Sequence, residues 1–475
     1  MSIAALVDRT APRHVSVGLP PFRLILLAGC FFLAFHDVSI SLNKDYDRPA
    51  GELLSQAEQG NVRRQLGFLG VGAVGALGLR ERSHRKIAFR SAEGALCLFL
   101  TAWLALSLLW SVDPIVSLKR ILQFGIVTLC GLTMATRVSG AALPAFVCIA
   151  TSGYLLVGLG AELALGTFSP GDRFAGTLHP NGQGLNCALM VLSASALLAG
   201  APRAWRAWLR VALVLGFGAL LLTRSRTALT SLVLALILSR IVSLPRWRAL
   251  AATATLAWLG ALVVFVGGDG IQSFAREGVE LGRDETDLST FQGRTEVWEA
   301  CLEYARERPL LGYGFGAFWT PDHLQAISSS LGWGVPDAHS TYVEHLLNLG
   351  SVGAAVYVLT MVLAARAAFL RGRASGDAGS RFVLSLILFL LPYGVLESAP
   401  AQVSLHMFIL IWALLYLLST PVPEARARRA PLPVPHGQGG QMQVTRGAIR
   451  DAALDRFRVE RPRTAPTKID RGGME

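Results

Sequence analysis

The sequence predicts an all-α integral membrane protein of about twelve transmembrane helices, with one large loop between helices 9 and 10. Of its 475 residues, 52% are hydrophobic and only 16% are charged, whereas soluble proteins have about a quarter of their residues charged. Long apolar runs recur along the chain, and Lys and Arg residues are concentrated in alternate connecting segments. This composition excludes a disordered chain.

Apolar runs define the predicted helices. They cover residues 24–40, 65–79, 94–111, 121–136, 140–160, 184–200, 208–223, 227–242, 249–267, 342–365, 382–396 and 403–419. Most have the roughly 17–25 residues that a helix needs to cross a bilayer core. Each should be helical, because the bilayer offers the backbone no hydrogen-bonding partners. The second run is short and rich in glycine, so it gives the weakest prediction of a membrane-spanning helix. A signal peptide is not expected, since no cleavage site follows the first run.

Lys and Arg residues set the predicted orientation. With the N-terminus inside, most of the 44 Lys and Arg residues fall on the cytoplasmic side, as the positive-inside rule requires. The predicted parts are a cytoplasmic N-terminus (1–23), membrane helices 1–9 (24–267), an outer loop (268–340), membrane helices 10–12 (341–419) and a basic, disordered cytoplasmic tail (420–475). The net charge of +12 then reflects topology. No nucleic-acid partner is expected, because aromatic residues do not interleave with the charges.

The outer loop is predicted to contain an amphipathic helix. Trp298, Cys301, Leu302 and Ala305 recur at helical spacing, and Pro309 ends the pattern. The loop then lies on the outer surface, either covering a functional site or serving only as a packing cap.

Two motifs follow this helix. Gly312-Tyr-Gly-Phe-Gly316 lacks nucleotide-binding spacing, so it is either a flexible turn or, through Tyr313, a surface on which a sugar stacks. Thr341 and Glu344 fit a capping box, which puts His339 within one turn of a helix N-terminus. The positive end of a helix disfavours imidazolium, so this histidine can accept a proton. The alternative is that it only caps the helix or the loop.

Several arginines lie on the predicted outer face, where the positive-inside rule gives no reason for them. Arg224 and Arg226 share a very short turn between two apolar runs, and Arg173 and Arg294 lie on the same face. A charge near the hydrocarbon is costly and by default indicates a functional site with an anionic partner. The alternative for Arg224 and Arg226 is snorkelling or contact with lipid headgroups.

Other polar residues leave alternatives open. Glu397 and His406 near the last two runs are either interfacial residues or a proton relay. Asp284, Glu285 and Asp287 carry oxygen ligands that suit a divalent cation, but acidic loop residues are usually only solvated. Since no defined metal or cofactor motif is present, neither a metal nor a cofactor is expected.

Four segments, in this order, resemble the O-antigen ligase and polysaccharide polymerase superfamily. They are Arg173-Phe-Ala-Gly-Thr-Leu-His-Pro-Asn181, Ser225-Arg226-Thr227-Ala228, Gly293-Arg294-Thr-Glu-Val-Trp298 running to Gly316, and Ala338-His339-Ser340 running to Gly350 and Gly353. The resemblance covers roughly residues 20–420, and its third segment is most similar to exopolysaccharide polymerases. It implies a GT-C-like fold in the bacterial inner membrane, with the large loop in the periplasm.

The resemblance also implies a reaction. Members join glycans at the periplasmic face, using donors linked to a polyprenyl pyrophosphate. Family arginines that hold the pyrophosphate correspond to Arg173 and Arg226, with Arg224 as a less certain addition. The family histidine corresponds to His339, which would deprotonate or orient the acceptor hydroxyl in a metal-independent, inverting displacement. The substrate-binding set further includes His179, Asn181, Arg294, Trp298 and Tyr313.

The expected partners are a polyprenyl-pyrophosphate-linked oligosaccharide donor, a glycan acceptor and the lipid bilayer, with polysaccharide export or chain-length proteins as further candidates. Three functions stay open. A polymerase is the leading one, and a ligase that transfers the glycan to lipid A core is the first alternative. A transporter or flippase would place ionisable residues near mid-membrane on broken helices. Many family members carry Asn where this chain has Ser340, so acceptor recognition is expected to differ.

Overall fold

The computed structural model describes residues 21–35, 62–169 apart from 82 and 84, 172–245, 248 and 289–421. The chain divides into two compact units, Met1–Val422 and Pro423–Glu475, and the second unit lies outside the described residues. So do the predicted ninth span, the acidic segment 284–287 and the predicted disordered tail.

The described residues form a helical bundle with one short pair of strands. The helices are α1 (Pro21–Phe35), α2 (Val62–Leu79), α3 (Ala92–Leu106), α4 (Pro114–Arg137), α5 (Ala142–Leu165), α6 (Pro180–Leu198), α7 (Arg203–Thr223), α8 (Arg226–Ser243), α9 (Ser289–Glu307), α10 (Pro321–Leu331), α11 (Thr341–Ser375), α12 (Ala378–Leu396) and α13 (Leu405–Leu418). Single 3-10 turns, Ser107–Trp110 and Ala399–Ala401, follow α3 and α12. Strand β1 (Arg85–Ile87) pairs antiparallel with β2 (Ser419–Pro421).

All predicted apolar runs except the ninth coincide with a described helix. In the part of the chain that the structure describes, six helices are long and apolar enough to cross a membrane. These are Ala92–Trp110, Pro114–Arg137, Ala142–Leu165, Arg203–Thr223, Thr341–Ser375 and Ala378–Leu396. Arg23–Phe35 and Leu405–Leu418 are shorter apolar helices. The chain is therefore an all-α membrane protein, and the count of about twelve spans stays a prediction.

Aromatic rings fill the centre of the bundle. Phe31 stacks on Phe408 with ring centroids 4.2 Å apart, and Phe146 meets the edge of Phe408 at 5.5 Å. Large apolar side chains such as Leu66 and Leu109 are instead exposed on the outside of the bundle. An apolar surface of this extent is unusual on a soluble protein and suits contact with lipid.

Glycines let α2 pack closely against its neighbours. A Cβ atom on Gly67 would lie 2.3 Å from the backbone nitrogen of Ala34, and one on Gly75 would lie 3.1 Å from the Cα atom of Cys130. Small residues allow such close approach between helix backbones within a membrane. The second apolar run, whose composition gives the weakest prediction of a span, is therefore a helix packed against α1 and α4.

Residues from several predicted cytoplasmic segments meet at one end of the bundle. Arg23 forms an ion pair with Glu81, and Nε of Arg137 donates to the backbone oxygen of Glu81 at 3.1 Å. Nη1 of Arg371 donates to the backbone oxygen of Tyr416 at 2.9 Å. This grouping agrees with the predicted alternation of inner and outer segments, whereas the side of the membrane that each end faces stays a prediction.

The described part of the large loop has a hydrophobic cluster of its own. Helix α9 ends at Glu307, before Pro309 as predicted, and it buries Val297, Cys301 and Ala305 on one face. These side chains pack with buried residues from the rest of the loop and from the start of α11, namely Tyr313, Phe318, Ile327, Val335, Ala338 and Leu347. The described part of the loop is thus a folded cap on the bundle.

Helix α11 is interrupted at Gly350, whose φ is 69° and ψ is −175°. Residues of the loop satisfy the backbone groups freed by the break: the N–H of Tyr313 donates to the Leu347 oxygen at 2.8 Å, and the N–H of Ser351 donates to the Pro309 oxygen at 2.8 Å. A break within an apolar helix is tolerated when other protein groups supply the missing hydrogen-bond partners. The break at Gly350 fixes the loop against the first turns of α11.

Candidate active site

Polar and ionisable side chains from separate segments meet where α12 ends. This is the end of the bundle that the sequence predicts to face outward. The segments are the loop before α6, the start of α9, the residues before α11 and the residues after α12.

A chain of four side chains forms the centre of this cluster. Nη2 of Arg173 donates to Oδ1 of Asn181 at 2.7 Å, and Nδ2 of Asn181 donates to Oε1 of Glu397 at 2.8 Å. Nη2 of Arg294 donates to the same Oε1 at 2.7 Å. The Arg294 and Glu397 side chains are only 19% and 12% exposed, so the ion pair is shielded from water. Two predicted arginines are thereby fixed in one cluster.

The loop that carries Arg173 is held by buried contacts. Oε1 of Glu162, at the outer end of α5, accepts the backbone N–H groups of Ala175 at 3.0 Å and Gly176 at 2.7 Å. Nε of Arg173 donates to the backbone oxygen of Thr223 at 3.0 Å. Since a carboxylate that accepts backbone N–H groups makes strong hydrogen bonds, Glu162 positions the arginine loop.

His179 is the N-cap of α6. Its Nδ1 atom accepts the backbone N–H of Asn181 at 3.2 Å. A ring nitrogen can accept a hydrogen bond only when it carries no proton, so the imidazole is neutral in this arrangement. His179 is exposed at the edge of the cluster. Partial burial of the imidazole, and next the positive charge of Arg173, lower the pKa of His179 to about 4. His179 is therefore a neutral neighbour of the arginines.

His339 lies immediately before α11 in a left-handed conformation, with φ of 47°. Oδ1 of Asp337 accepts the backbone N–H of His339 at 2.8 Å and lies 3.5 Å from its Nδ1. The imidazole stacks on Trp333 with ring centroids 6.1 Å apart. A left-handed non-glycine residue is uncommon and costs energy, so Asp337 and the loop hold this histidine in place.

The cap of α11 differs from the predicted one. Ser340, not Thr341, is the N-cap, and its hydroxyl accepts the N–H of Val343. Oε1 of Glu344 accepts the backbone N–H of Ala338 at 2.9 Å and the indole N–H of Trp319 at 2.8 Å. The capping-box prediction was wrong, because Ser340 caps the helix one residue earlier and Glu344 binds the loop rather than the cap residue. His339 still lies within one turn of the helix N-terminus, as predicted.

Glu397 is the residue on which the cluster converges. Its backbone oxygen accepts the N–H of Thr341 at 3.1 Å and the Thr341 hydroxyl at 2.8 Å. Burial raises the pKa of the Glu397 carboxyl, while Arg294 and His339 oppose that shift. The next residue, Ser398, donates its hydroxyl to Oδ1 of Asp337 at 2.9 Å. The end of α12 thus joins the arginines to the His339 segment.

The sequence left Glu397 undecided and did not select Asp337 or Glu162. An isolated ionisable residue at the end of an apolar run was the available signal for Glu162 and Glu397, and proximity to His339 was the signal for Asp337. The possible relay between Glu397 and His406 has no support in the described contacts. Nε2 of His406 instead lies 3.0 Å from Oδ1 of Asn186.

Arg224 and Arg226 lie on the turn between α7 and α8, beside the carbonyl that Arg173 contacts. Arg224 ends α7 with φ of 49°, and Arg226 is the first residue of α8 after the N-cap Ser225. Both are partly exposed. The structure therefore brings this turn next to the Arg173 loop, and a direct role of either side chain stays a prediction.

Trp298 and Tyr313 are not among the cluster's charged groups. The indole N–H of Trp298 donates to the backbone oxygen of Ala338 at 3.0 Å, so it supports the residue before His339. Tyr313 is only 3% exposed, and its hydroxyl donates to Oε2 of Glu307 at 2.8 Å. The Tyr313 ring is packed inside the loop, which favours the packing role over stacking on a sugar.

Within the described residues, no group of three or more His, Cys, Asp or Glu side chains has the geometry to hold a metal ion.

Comparison with known protein families indicates which class of protein combines apolar helices with the arginine–histidine cluster around Arg173, Arg294 and His339. Residues 211–358 match the family described as O-Antigen ligase. The matched region includes Arg224, Arg226, Arg294 and His339, and it ends before Glu397. The chain is therefore a multi-pass helical membrane protein with a region similar to the O-antigen ligase family, and the resemblance seen in the sequence is confirmed for residues 211–358.

Among curated proteins, the chain is similar to the exopolysaccharide production protein ExoQ of Rhizobium meliloti (strain 1021). The two are 32% identical over 116 residues, which are 22% of this chain. The match covers only 25% of the length of that relative.

Proposed function

We propose that this chain is a membrane glycosyltransferase that polymerises exopolysaccharide or O-antigen repeat units. Its donors are oligosaccharides linked to polyprenyl pyrophosphate, and it acts at the periplasmic face of the bacterial inner membrane with both termini in the cytoplasm. The observation that carries this proposal is the joining of Arg173 and Arg294 through Asn181 and Glu397, beside the His339 segment. The family match and the curated relative support the chemical class.

Arginines suit the donor that this function requires. A diphosphate leaving group needs fixed positive charge, and a planar guanidinium donates to two phosphate oxygens at once. Arg173 and Arg294 are each held by one hydrogen bond from Nη2 to a side-chain oxygen. Arg224 and Arg226, on the adjoining turn, would contact the same pyrophosphate. Exposed apolar helices around the bundle would let the polyprenyl tail stay in the bilayer.

His339 is placed to accept the proton of the acceptor. The hydroxyl oxygen attacks the anomeric carbon, the bond from that carbon to the pyrophosphate oxygen breaks, and the diphosphate leaves with the electron pair. The imidazole of His339 takes the hydroxyl proton, and the neighbouring Asp337 carboxylate stabilises the resulting positive charge. A single displacement inverts the anomeric configuration. Arginine charge stabilises the leaving group in this scheme, so it includes no metal ion.

A ligase is the second candidate, because the matched family is described as O-Antigen ligase. It would transfer a finished glycan from the same kind of donor to lipid A core or another acceptor. A transporter or flippase is less favoured. Although α11 is broken at Gly350, loop residues occupy the freed backbone groups, and the cluster lies where α12 ends rather than at mid-membrane.

Deletion of the gene, with complementation by single variants and analysis of surface glycans on gels, tests this proposal. His339→Ala and Arg226→Ala should fail to restore long glycan, whereas Arg203→Ala should restore it. Arg203 is an exposed arginine at the start of α7 and serves as the matched control. Full restoration by both site variants would contradict the assigned site.

The same strains separate the candidate functions. Loss of surface polymer with accumulation of single repeat units indicates a polymerase. Unmodified lipid A core beside intact long polymer indicates a ligase. Accumulation of the lipid-linked unit on the cytoplasmic side would favour a flippase.

A further inference from the structure

We propose that Glu397 is a positioning residue that orients Arg294 and Asn181 toward a diphosphate and, through its negative charge, limits how tightly the site holds that diphosphate. This inference rests on the proposed function, in which the arginines bind the pyrophosphate of the donor.

The contacts of Glu397 leave its partners able to bind a second anion. One oxygen, Oε1, accepts both Nη2 of Arg294 at 2.7 Å and Nδ2 of Asn181 at 2.8 Å. No described residue accepts a hydrogen bond from Nη1 or Nε of Arg294. Among the described residues, the ion pair therefore uses one donor of the guanidinium and fixes its orientation, and its other donors can bind phosphate oxygens.

The backbone that carries this carboxylate is also fixed. The Glu397 carbonyl accepts both the N–H and the hydroxyl of Thr341, so the backbone of Glu397 cannot shift without separating α12 from the start of α11. Its side chain is only 12% exposed. A charge held this deep acts strongly on a neighbouring anion, because water and salt screen it less than at the surface.

A carboxylate here has a consequence for the reaction product. After glycan transfer the site holds a polyprenyl pyrophosphate, which must leave before the next donor binds. Arginines alone would hold this anion tightly. A fixed negative charge beside Arg294 weakens the attraction for substrate and product alike, and it prevents the product from remaining bound. A purely structural ion pair makes the opposite prediction, since breaking it would disorder Arg294 and weaken anion binding.

The proposal predicts tighter pyrophosphate binding when the charge of Glu397 is removed, whereas a purely structural ion pair predicts weaker binding. Calorimetric binding of inorganic pyrophosphate to the purified full-length protein distinguishes the two. Glu397→Gln keeps a hydrogen-bond acceptor of the same length but removes the charge, and we expect it to bind pyrophosphate about tenfold more tightly than the wild type. The matched control is Glu299→Gln, which removes an exposed charge from α9, the helix of Arg294, and should stay within about twofold. Unchanged or weaker binding by Glu397→Gln overturns the inference.

Further variants keep the test decisive. Glu397→Asp retains the charge and should not bind more tightly than the wild type. If Glu397→Gln does not fold, Glu397→Asn must bind pyrophosphate more tightly than the isosteric Glu397→Asp, or the inference fails. Arg294→Ala tests the proposed function separately. If Arg294→Ala loses binding while Glu397→Gln gains none, only the inference fails, whereas absence of binding in the wild type and in Glu397→Gln overturns both.

Discussion

At the residue scale, the pairing of His339 with Asp337 is the feature most directly tied to chemistry. The carboxylate holds the histidine backbone at 2.8 Å and lies 3.5 Å from the imidazole. It therefore both places the ring and stabilises the charge that the ring gains when it accepts a proton.

The first prediction concerns this carboxylate. Asp337→Asn keeps an oxygen that can accept the His339 N–H but removes the negative charge beside the ring. We expect about a tenfold to hundredfold fall in glycan synthesis with the protein still folded. A positioned proton acceptor contributes roughly 10²–10⁴-fold, and loss of the neighbouring charge removes only part of this contribution. Glycan yield in complemented deletion cells, normalised to protein in the membrane, measures it.

Asp322→Asn is the control for this change. Asp322 is an exposed residue in the first turn of α10, within the same large loop. The substitution should leave glycan yield unchanged. Wild-type yield from Asp337→Asn would show that His339 does not depend on the charge of its neighbour.

The second prediction concerns Glu162, which is buried and holds the Arg173 loop by two backbone hydrogen bonds. Glu162→Ala should destabilise the protein by about 2 kcal/mol, because two backbone donors lose a charged acceptor. Glu162→Gln should cost less, since its amide oxygen can still accept. The measurement is thermal unfolding in detergent, with exposed Glu303→Ala as the control, and equal melting temperatures for all four proteins would refute the role.

Sequence and structure diverge most at this scale. The motifs around Arg173, Arg294 and His339 predict a shared site, and the structure brings these segments together where α12 ends. The signal for them is that charge on the outer face has a recognisable cost. Glu397 was left undecided, since its contacts with Asn181 and Arg294 join positions 216 and 103 residues away. No local pattern encodes such pairings. The local capping rule does not separate Ser340 from Thr341 either, because serine and threonine are both favoured N-cap residues.

At the element scale, the break in α11 determines where the loop sits. The apolar run 342–365 predicts one continuous helix, and Gly350 within it looks like an ordinary helical glycine. The cause of the break lies elsewhere in the chain, in the backbone of Leu310 and Leu311, which a Cβ atom on Gly350 would meet at 2.1 to 2.6 Å. Periodicity predicts helices well, but it cannot show an interruption caused by distant contacts.

The third prediction follows from this packing. Gly350→Ala combines a left-handed φ with a severe backbone clash and should cost more than about 4 kcal/mol. Gly332→Ala is the matched control, because Gly332 has φ of 79° but nothing within 4 Å of an added Cβ, so it should cost only about 1–2 kcal/mol. Thermal unfolding of the two variants compares them. Equal destabilisation would show that the close contact with Leu310 is not important.

At the scale of the whole molecule, charge is divided between two ends of one helical bundle. Arg23, Glu81 and Arg137 meet at one end, and Arg173, Arg294 and Glu397 meet at the other. The alternation of Lys and Arg residues along the sequence anticipates this division, because chain topology decides which segments share an end.

The fourth prediction concerns the sidedness of these ends. Gln325→Cys, exposed on α10, should react in whole spheroplasts with a maleimide that cannot cross membranes. Arg203→Cys, exposed at the start of α7, should react only after permeabilisation. The native cysteines of the described helices are buried or half-buried, which limits the background. The reverse labelling pattern would place the arginine–histidine cluster in the cytoplasm and contradict the proposed donor site.

The central claim is that the cluster around Arg173, Arg294 and His339 transfers glycan from a polyprenyl pyrophosphate. Its most direct test incubates the purified protein in lipid nanodiscs with the lipid-linked oligosaccharide fraction extracted from deletion cells, and it measures released polyprenyl pyrophosphate together with glycan length. We expect the wild type and Arg203→Ala to release the lipid pyrophosphate and lengthen the glycan, and His339→Ala to be at least about a hundredfold slower. Release at the wild-type rate by His339→Ala would contradict the account.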